Sequence, residues 1–589
     1  MRTRLALLVT LGFIGIANFV SAATASRPNV LVIVSDDQGY GDFSCHGNPI
    51  LKTPNLDRLH DQSVRFTDFH VAPVCTPTRG QLMTGQDALR NGAHTVPAGH
   101  NLIWREIPVL PEMLRGGGYR TGLFGKWHLG DVWPDRPMDR GFDRAVWFTG
   151  HGIASSTEFD NDCVKVRYRD QLVTKRSDQY CTDLWFGEAM KWMEQQQTEH
   201  RPFFCYLATN APHSPCWIEE KDAARYRGKV PPQAANFFGM IANFDDNLGR
   251  LLDWMQRTQL ERDTIIVFFN DNGGTAGTRI YNAGLREGKG SNYDGGHRAA
   301  CFMRWPGGKF TAPRDVATPA QVQDVLPTLL ELTRVPAPAK ARFDGTSLVP
   351  LLRSETAPLP DRMMVVQYGT RDRPVKNDGC VIWGQWRWVN GEGLYDIRAD
   401  RAQAKNLSAQ FPDVARRMRD HYEQWWSGLS RQFEYQPILL GTQQENPVQL
   451  NPNMWAGVDV DNPRRVAEAA GGPRGGPWNV EVTQGGDYVI ELRRWPFHTD
   501  FALGSEGPSK TISGRPLNHQ VKRTPVAAGV LAVGGREFSA KAAPTDLGVV
   551  IRTQLPAGRT KLQAWFRDAA GNDLCGAYYA RVQRVGPNS

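Results

Sequence analysis

Asn29-Val30-Leu31-Val32-Ile33-Val34-Ser35-Asp36-Asp37 is the stretch that determines the fold class of this 589-residue chain. Its apolar run has the length of a strand and no polar alternation, which is typical of a strand buried on both faces in a parallel sheet. Residues 203–207 and 264–269 have the same pattern, and residues 121–124 form a weaker example. Amphipathic helical patterns lie between these runs. The alternation predicts an α/β domain with a mostly parallel central sheet flanked by helices.

Polar residues follow each of these strands. Asp36-Asp37 comes after the first, and Asn270-Asp271-Asn272-Gly273 comes after the last. The other two strands lead to Asn210-Ala211-Pro212-His213 and to Gly125-Lys126-Trp127-His128. Open α/β sheets bind their ligands at the carboxyl ends of the strands. We therefore expect all four segments to deliver their polar side chains to one edge of the sheet.

Asp36, Asp37, Asp271 and Asn272 offer only oxygen atoms as ligands. Three carboxylates packed together repel one another unless a cation lies between them. An all-oxygen donor set suits Ca²⁺ or Mg²⁺ better than zinc. The sequence therefore predicts a site for a hard divalent cation at this edge of the sheet.

The pentapeptide Cys75-Thr76-Pro77-Thr78-Arg79 has the composition of an anion-binding helix start. Pro77 is tolerated in the first turn of a helix, where its missing N–H has no partner to lose. Cys75 is then expected just before the helix N-terminus, which attracts anions. Arg79 adds a planar fork of donors that suits a tetrahedral oxyanion. The alternative is a buried, inert cysteine that precedes a helix.

This pentapeptide, continued to Thr84-Gly85, closely resembles the signature of type I sulfatases. Residues 118–128 resemble the second signature of that family, although Phe124 replaces a smaller residue there. Residues 210–213 resemble the family's Asn-Ala-Pro-His segment, and residues 286–298 resemble its late lysine loop.

The resemblance covers residues 27–430 and implies the fold of the alkaline phosphatase superfamily with an arylsulfatase-like activity. In that family a formylglycine-generating enzyme oxidises the signature cysteine to formylglycine, whose hydrated aldehyde attacks a sulfate ester. The implied catalytic residues are Cys75, Arg79, Lys126, His128, His213 and Lys289. The implied ligands of Ca²⁺, with Mg²⁺ as the alternative ion, are Asp36, Asp37, Asp271, Asn272 and residue 75 itself.

The resemblance also implies a role for each basic side chain. Arg79, Lys126 and Lys289 would bind the sulfate oxygens. His213 would protonate the leaving alcohol, and His128 would accept a proton from the second hydroxyl of the aldehyde hydrate. The substrate class is then a sulfate monoester, either an aryl sulfate or a sulfated carbohydrate, and the sequence does not decide between them.

Two other functions stay open at this point. One is a phosphomonoester or phosphonate monoester hydrolase that uses the same fold and the same aldehyde. The other is a non-catalytic protein that binds sulfated glycans. His151 is a weaker candidate for a substrate contact, and His100 and Trp104 are weaker still, with ordinary loop packing as the alternative for all three.

The domain organisation follows from changes in composition along the chain. Arg2 and Arg4, an apolar stretch and then small residues predict a secretory signal, and hence an exported protein, periplasmic or secreted, without a stable membrane anchor. The predicted segments are a signal peptide at 1–25, the catalytic α/β domain at 26–345, a small C-terminal α+β subdomain at 346–435, a linker at 436–455 and an accessory β-sandwich-like domain at 456–589.

The chain carries a formal net charge of +8 and has a pI near 9.0, which favours anionic partners. It contains no run rich in Arg or Lys, so we expect no nucleic-acid partner. Setting Cys75 aside leaves eight of the nine cysteines. Cys163 and Cys181 have a spacing that permits a disulfide in an oxidising compartment, and buried thiols are the alternative.

Overall fold

The structure is a computed structural model that describes residues 27–96, 99–159, 163–308, 310, 313–354, 359–369, 373–511 and 513–586. The predicted signal peptide at residues 1–25 lies outside the described residues. Within the described ranges, no helix combines the length and the apolar character needed to cross a membrane.

The described residues of the first part of the chain form thirteen strands: β1 (Asn29–Ser35), β2 (Val64–Phe66), β3 (Phe69–His70), β4 (Arg120–Lys126), β5 (Arg144–Phe148), β6 (Val166–Asp170), β7 (Val173–Ser177), β8 (Phe203–Ala208), β9 (Thr264–Asn270), β10 (Arg298–Ala299), β11 (Cys301–Arg304), β12 (Arg314–Val316) and β13 (Ala320–Gln321). Its α-helices are α1 (Pro54–Asp61), α2 (Cys75–Thr84), α3 (Ala88–Asn91), α4 (Leu110–Gly116), α5 (Cys181–Thr198), α6 (Glu220–Ala223), α7 (Pro232–Arg257), α8 (Asp294–His297), α9 (Val325–Thr333) and α10 (Val349–Arg353).

Ten of these strands form one central sheet in the order β12-β2-β11-β9-β1-β8-β4-β5-β6-β7. The run β9-β1-β8-β4-β5 is parallel throughout, and antiparallel pairs flank it on both sides. Val32 of β1 packs into the core shared with α2, α4 and α9, whereas Ile33 packs into the core shared with α1, α5 and α7. Helices cover both faces of β1, which accounts for the unbroken apolar run at residues 30–34. The predicted fold class is confirmed.

A four-stranded antiparallel sheet follows, formed by β14 (Met364–Gln367), β15 (Gly379–Trp383), β16 (Trp386–Val389) and β17 (Gly393–Asp396). Helix α11 (Pro412–Ser427) covers it, and its Met418 and Trp425 pack against Val381 and Leu394 of the sheet. Arg387 of β16 is fully buried and forms ion pairs with Asp68 and Asp294, which belong to the first part of the chain. The small sheet is therefore joined to the larger one by buried charges.

The C-terminal region, as far as the structure describes it, contains a short helix, α12 (Pro463–Ala467), and ten strands: β18 (Ile438–Leu440), β19 (Val448–Leu450), β20 (Trp478–Val482), β21 (Gly486–Arg493), β22 (Ala528–Val533), β23 (Arg536–Lys541), β24 (Val549–Leu555), β25 (Gly558–Arg567), β26 (Asp573–Gly576) and β27 (Tyr579–Arg584). They form two sheets, β18-β20-β25-β22-β23 with β26 beside β25, and β19-β27-β21-β24. The two sheets share one core, as in a β-sandwich, and Val132 and Phe159 from the first part of the chain belong to that core.

Residues 436–455 differ from the predicted linker. The structure has β18 and β19 there, and they pair with β20 and β27 of the C-terminal sheets. The inward side chains Ile438, Leu440, Val448 and Leu450 are buried, which supplies the apolar contact that a linker would lack. Each strand is only three residues long, and β19 includes the exposed Gln449, so neither strand could be recognised among the surrounding Gln, Asn and Pro residues.

The cysteine pair considered above is not joined. All nine cysteines lie in the described residues, and the structure contains no disulfide bond between them. Cys163 and Cys181 are both buried, and the Cys181 N–H donates to the Cys163 carbonyl at 2.7 Å.

Candidate active site

The carboxyl ends of four neighbouring parallel strands bring the predicted polar residues together. Asp36 and Asp37 directly follow β1, and Asp271 and Asn272 directly follow β9. The segment after β8 carries His213, Lys126 is the last residue of β4, and His128 lies two residues beyond it. Registered parallel pairing aligns these strand ends, because Val34 of β1 faces both Ala208 of β8 and Phe269 of β9.

Helix α2 places Cys75 at the centre of this group. All ten residues of the helix are buried, and Cys75 is its first residue, with Val74 as the N-cap. This differs slightly from the prediction, which put Cys75 before the helix; Pro77 still falls in the first turn, where no N–H is required. Cys75 Sγ lies 3.4 Å from Asp36 Oδ1, 3.9 Å from Asp37 Oδ1 and 3.6 Å from Lys289 Nζ. Burial raises the pKa of the Cys75 thiol.

Arg79, one turn further along α2, ties the helix to two strands. Its guanidinium donates to Asp271 Oδ2 at 2.8 Å and to the Lys126 carbonyl at 3.1 Å, and its Nη1 also lies 3.3 Å from the Tyr206 hydroxyl. Arg79 is 1% exposed. A buried guanidinium held on several sides has a fixed orientation, which is what recognition of a tetrahedral anion requires.

The four oxygen-bearing residues fit a cation site by the chemistry of their donors. Asp36, Asp37, Asp271 and Asn272 are all at most 1% exposed. Asp37 N–H donates to Asp271 Oδ1 at 3.1 Å, and Asn272 Nδ2 donates to Asp37 Oδ1 at 3.0 Å. Asn272 Oδ1 is buried and has no hydrogen-bond partner among the described residues, which leaves one oxygen available to a cation. Buried acceptors are otherwise nearly always paired.

The carboxylates differ in their electrostatic surroundings. Burial favours the neutral form of Asp36, but Lys126, His213 and Arg79 outweigh it and hold the pKa of Asp36 well below its usual range. Burial and the neighbouring Asp36 raise the pKa of Asp271 to about 7. One oxygen from each of Asp36 and Asp37, Cys75 Sγ and one His213 nitrogen form a cluster whose atoms lie within 4.8 Å of one another. Asp271 stands beside this cluster, turned toward Arg79.

Two lysines beside Cys75 form ion pairs with Asp36 and Asp37. Lys126 Nζ donates to Asp36 Oδ2 at 2.7 Å and is fully buried. Lys289 Nζ donates to Asp37 Oδ1 at 2.5 Å and keeps 24% of its side chain exposed. Lys289 is therefore the cation of this group that faces the entrance of the site.

Three histidines stand beside the carboxylates. His213 Nε2 lies 3.9 Å from Asp37 Oδ2, and its Nδ1 donates to the Ser214 carbonyl at 2.6 Å. Burial lowers the pKa of His213 to about 4, although Asp37 and Asp36 oppose that shift. Burial and Lys126 also lower the pKa of His128, whose Nδ1 has no partner among the described residues. The ring of His151 lies 6.2 Å from that of His128 and 5.5 Å from that of His213.

The C-terminal region supports the loop that carries His151. His151 Nε2 lies 3.0 Å from the Asp461 carbonyl, and the same carbonyl accepts from Ser156 N–H at 2.7 Å. Asn453 accepts from Ser156 Oγ at 2.8 Å and donates to Ser155 Oγ at 3.0 Å. The sequence does not reveal either partner. Asp461 acts through a backbone carbonyl, which has no residue signature, and both Asp461 and Asn453 lie about 300 positions from the residues they contact.

The structure brings together all the site residues derived from the sequence and separates two of the weaker candidates from them. Brought together are Asp36, Asp37, Cys75, Arg79, Lys126, His128, His213, Asp271, Asn272 and Lys289. His100 stacks on Tyr435 with ring centroids 3.9 Å apart, and Trp104 lies under the guanidinium of Arg431 at 3.7 Å. His100 and Trp104 therefore serve loop packing.

Known proteins resemble this chain over the region that carries the site. Residues 28–335 match the family model described as sulfatase. Arylsulfatase A of Homo sapiens is 33% identical over 425 residues, which is 67% of this chain and 81% of that protein. N-acetylgalactosamine-6-sulfatase of Homo sapiens is 29% identical over 422 residues, which is 65% of this chain and 76% of that protein.

A similar solved structure is that of Ps i-CgsB in complex with k-i-k-neocarrahexaose. It superposes with a TM-score of 0.64 at 26% sequence identity and covers 69% of this chain and 94% of its own. The family match, the curated relatives and the geometry around Cys75 agree with one another. This chain belongs to the sulfatase family and is a sulfuric ester hydrolase.

Proposed function

We propose that this sulfatase uses a formylglycine made from Cys75 and one bound divalent cation, Ca²⁺ in preference to Mg²⁺, to cleave sulfate monoesters of carbohydrates or aryl alcohols. The observation that carries the proposal is the position of Cys75. Its Sγ lies at the buried start of α2, between Asp36 at 3.4 Å and Lys289 at 3.6 Å. A nucleophile placed there meets the sulfur of an ester whose oxygens contact the cations around it.

Asp36, Asp37, Asp271, Asn272 and residue 75 would hold the cation. Their hard oxygen atoms and the unpartnered Asn272 Oδ1 support this assignment. The bound cation would draw electron density from the sulfate oxygens and so favour attack at sulfur. The aldehyde hydrate at residue 75 would supply the attacking hydroxyl and a second hydroxyl from which the aldehyde is regenerated.

The remaining residues bind the substrate and move protons. Arg79, Lys126 and Lys289 would offset the charge that develops on the sulfate oxygens. Asp271, whose pKa is raised to about 7, would accept the proton of the attacking hydroxyl. His213 would donate a proton to the leaving alcohol, and Lys289 lies close enough to assist, since both contact Asp37. His128 would accept the proton of the second hydroxyl.

Export and maturation follow from the same proposal. Residues 1–25 would direct the chain to the periplasm or out of the cell, and a formylglycine-generating enzyme would act on Cys75 before the burial of α2 is complete. The catalytic domain would span 26–345 and its C-terminal subdomain 346–435. We place the start of the accessory β-sandwich at β18 rather than at residue 456, because β18 and β19 belong to its sheets.

The test combines peptide mass spectrometry with a comparison of esters. Protein made together with a formylglycine-generating enzyme should give a residue-75 peptide lighter than the encoded cysteine peptide. The value of kcat/KM for 4-nitrophenyl sulfate should exceed that for the matching phosphate and phosphonate esters. Cys75→Ala should fold and lose essentially all turnover. Equal turnover by Cys75→Ala, or a consistent preference for the phosphorus esters, would overturn the proposal.

A further inference from the structure

A second group of metal-binding side chains lies outside the active site. Cys45 and His46 belong to the single helical turn Ser44–His46, and His60 lies in the last turn of α1. One ligand atom of each residue lies within 4.8 Å of the other two. All three side chains are partly exposed, so an ion in solution can reach them. Nothing in the sulfatase mechanism uses these residues.

Hydrogen bonds engage Nδ1 of both histidines and leave Nε2 of each ring free to bind a metal. His46 Nδ1 lies 2.8 Å from the Tyr40 carbonyl, which can only accept, so Nδ1 carries the hydrogen. His60 Nδ1 lies 2.7 Å from Asp61 Oδ1, and this carboxylate holds the hydrogen on Nδ1 in the same way. Each ring therefore keeps a lone pair on Nε2. Metal-binding histidines commonly donate their other nitrogen to a carbonyl or carboxylate in this manner.

The backbone around the cluster is held in place by Asp57 of α1. Asp57 accepts from the Cys45 N–H at 3.0 Å and from Ser44 Oγ at 2.7 Å, which ties the helical turn to α1. Tyr40 stacks on the His46 ring with centroids 4.1 Å apart. The three side chains are thus organised without an ion.

We propose that Cys45, His46 and His60 bind one zinc ion, in a site separate from the cation site beside Cys75. A thiolate with two imidazoles is a donor set typical of Zn²⁺, whereas Ca²⁺ requires oxygen ligands. The fourth position of the tetrahedron is left to water. Binding forms a zinc–sulfur bond, and the thiol proton passes to solvent.

The position of the cluster indicates a structural role. The turn Ser44–His46 follows the segment that leaves β1 through Asp36 and Asp37, and α1 packs on the core beneath it. An ion held by Cys45, His46 and His60 would link these two elements directly. We expect zinc to raise stability and to leave turnover on a saturated calcium site unchanged.

Binding of Co²⁺ distinguishes the proposed zinc site from the cation site beside Cys75. Purified full-length protein saturated with Ca²⁺ is titrated with Co²⁺. One equivalent should give a near-ultraviolet thiolate-to-cobalt band and the visible bands of a tetrahedral ion, and Zn²⁺ should remove both. Cys45→Ser should abolish the thiolate band, and His60→Gln should weaken binding at least about tenfold. His200→Gln, which alters an exposed histidine elsewhere, is the matched control.

A measurement on the unaltered protein covers the case in which the variants fail to fold. Zinc should slow alkylation of Cys45, read by peptide mass spectrometry, and should not slow alkylation of Cys216, another partly exposed cysteine. Zinc should also raise Tm at constant Ca²⁺. The proposal is wrong if calcium-loaded protein gives no one-equivalent cobalt spectrum, if that spectrum survives in Cys45→Ser, or if zinc leaves the alkylation of Cys45 unchanged.

Discussion

Lys289 and Asp37 form an ion pair of 2.5 Å between a loop near residue 290 and the carboxyl end of β1, 252 positions apart in the chain. The same ammonium group lies 3.6 Å from Cys75 Sγ. One side chain thus contacts both a proposed cation ligand and the position of the proposed nucleophile. Its partial exposure also places it where a sulfate group would arrive.

Replacing this lysine tests whether it acts on the transition state. Lys289→Ala should lower kcat for 4-nitrophenyl sulfate about 100-fold to 1,000-fold, which is the loss seen when one donor to a developing oxyanion is removed. Lys52→Ala, at an exposed position, should leave kcat unchanged. Steady-state kinetics on both variants tests this prediction. The aldehyde content at residue 75 is measured in each. A loss confined to KM would assign Lys289 to ground-state binding only.

Removal and replacement of the metal test the oxygen-donor site. Chelation should abolish turnover, and Ca²⁺ should restore it better than Zn²⁺, because the donors are hard oxygen atoms. Asn272→Ala removes the unpartnered Oδ1 and should weaken the calcium affinity of the active site, measured by calorimetry. Asp246→Asn changes an exposed carboxylate and serves as the control. Undiminished calcium affinity in Asn272→Ala would exclude that oxygen as a ligand.

The proton supplied by His213 should matter most for poor leaving groups. His213→Ala should slow the release of sugar alcohols far more than that of 4-nitrophenol, which leaves as a stable anion. Burial lowers the pKa of His213 to about 4, so the free site holds this ring neutral near pH 7. The ratio of unaltered to His213→Ala activity on sugar sulfates should therefore grow as the pH falls toward about 5. Equal losses for both leaving groups would remove His213 from this role.

The C-terminal region should affect catalysis through the loop around His151. The sequence predicts an accessory β-sandwich-like domain at 456–589, so a chain ending near residue 445 would be expected to keep its activity on a small aryl sulfate. The contacts of that loop with Asp461 and Asn453 lead us to expect the opposite. Asn453→Ala should lower kcat/KM by up to about 100-fold through misplacement of the loop. Gln520→Ala, exposed on the same region, should have no effect. Full activity of a folded, metal-loaded truncated chain would favour the prediction from sequence.

Arg387 should make a large contribution to the free energy of unfolding, because it joins the four-stranded antiparallel sheet to the first part of the chain. It donates to Asp68 at 2.6 Å and to Asp294 at 3.0 Å, and all three are buried. Arg387→Met leaves two buried carboxylates without this partner and should cost about 3–5 kcal/mol in the free energy of unfolding. Urea denaturation measures the loss, with Arg398→Met at an exposed position as the control.

The stability lost in Arg387→Met should become smaller as the pH falls. Burial would favour the neutral carboxyls, but Arg387 and Arg298 hold the pKa of Asp68 and of Asp294 below the usual range in the folded protein. Their contribution is present above the unfolded pKa of about 3.9 and is lost as the pH falls below it. The stability difference between Arg387→Met and the unaltered protein should therefore shrink below about pH 4. A difference that stays constant through that range would contradict this account.

Much of this molecule could be predicted because the information is local in the chain. The uninterrupted apolar residues of β1 require a strand covered on both faces, and Asp36 and Asp37 follow it directly. In a parallel sheet the carboxyl ends of such strands meet at one edge, so the convergence of Asp271 and His213 on that edge follows from the same pattern. The signature around Cys75 and the apolar pattern of β1 were therefore enough to predict the fold class and the residues that surround Cys75.

Other features were decided only by tertiary structure, because they depend on contacts without a periodic or local signature. The carbonyl of Asp461 supports His151 from 310 positions away, and a backbone atom is the same whatever residue carries it. Strands β18 and β19 are too short to be recognised in the sequence, and they become evident only through pairing with β20 and β27. Cys45, His46 and His60 became a cluster only when Asp57 fixed a turn against α1. Local periodicity determines which elements form, whereas long-range packing determines which backbone atoms and turns meet.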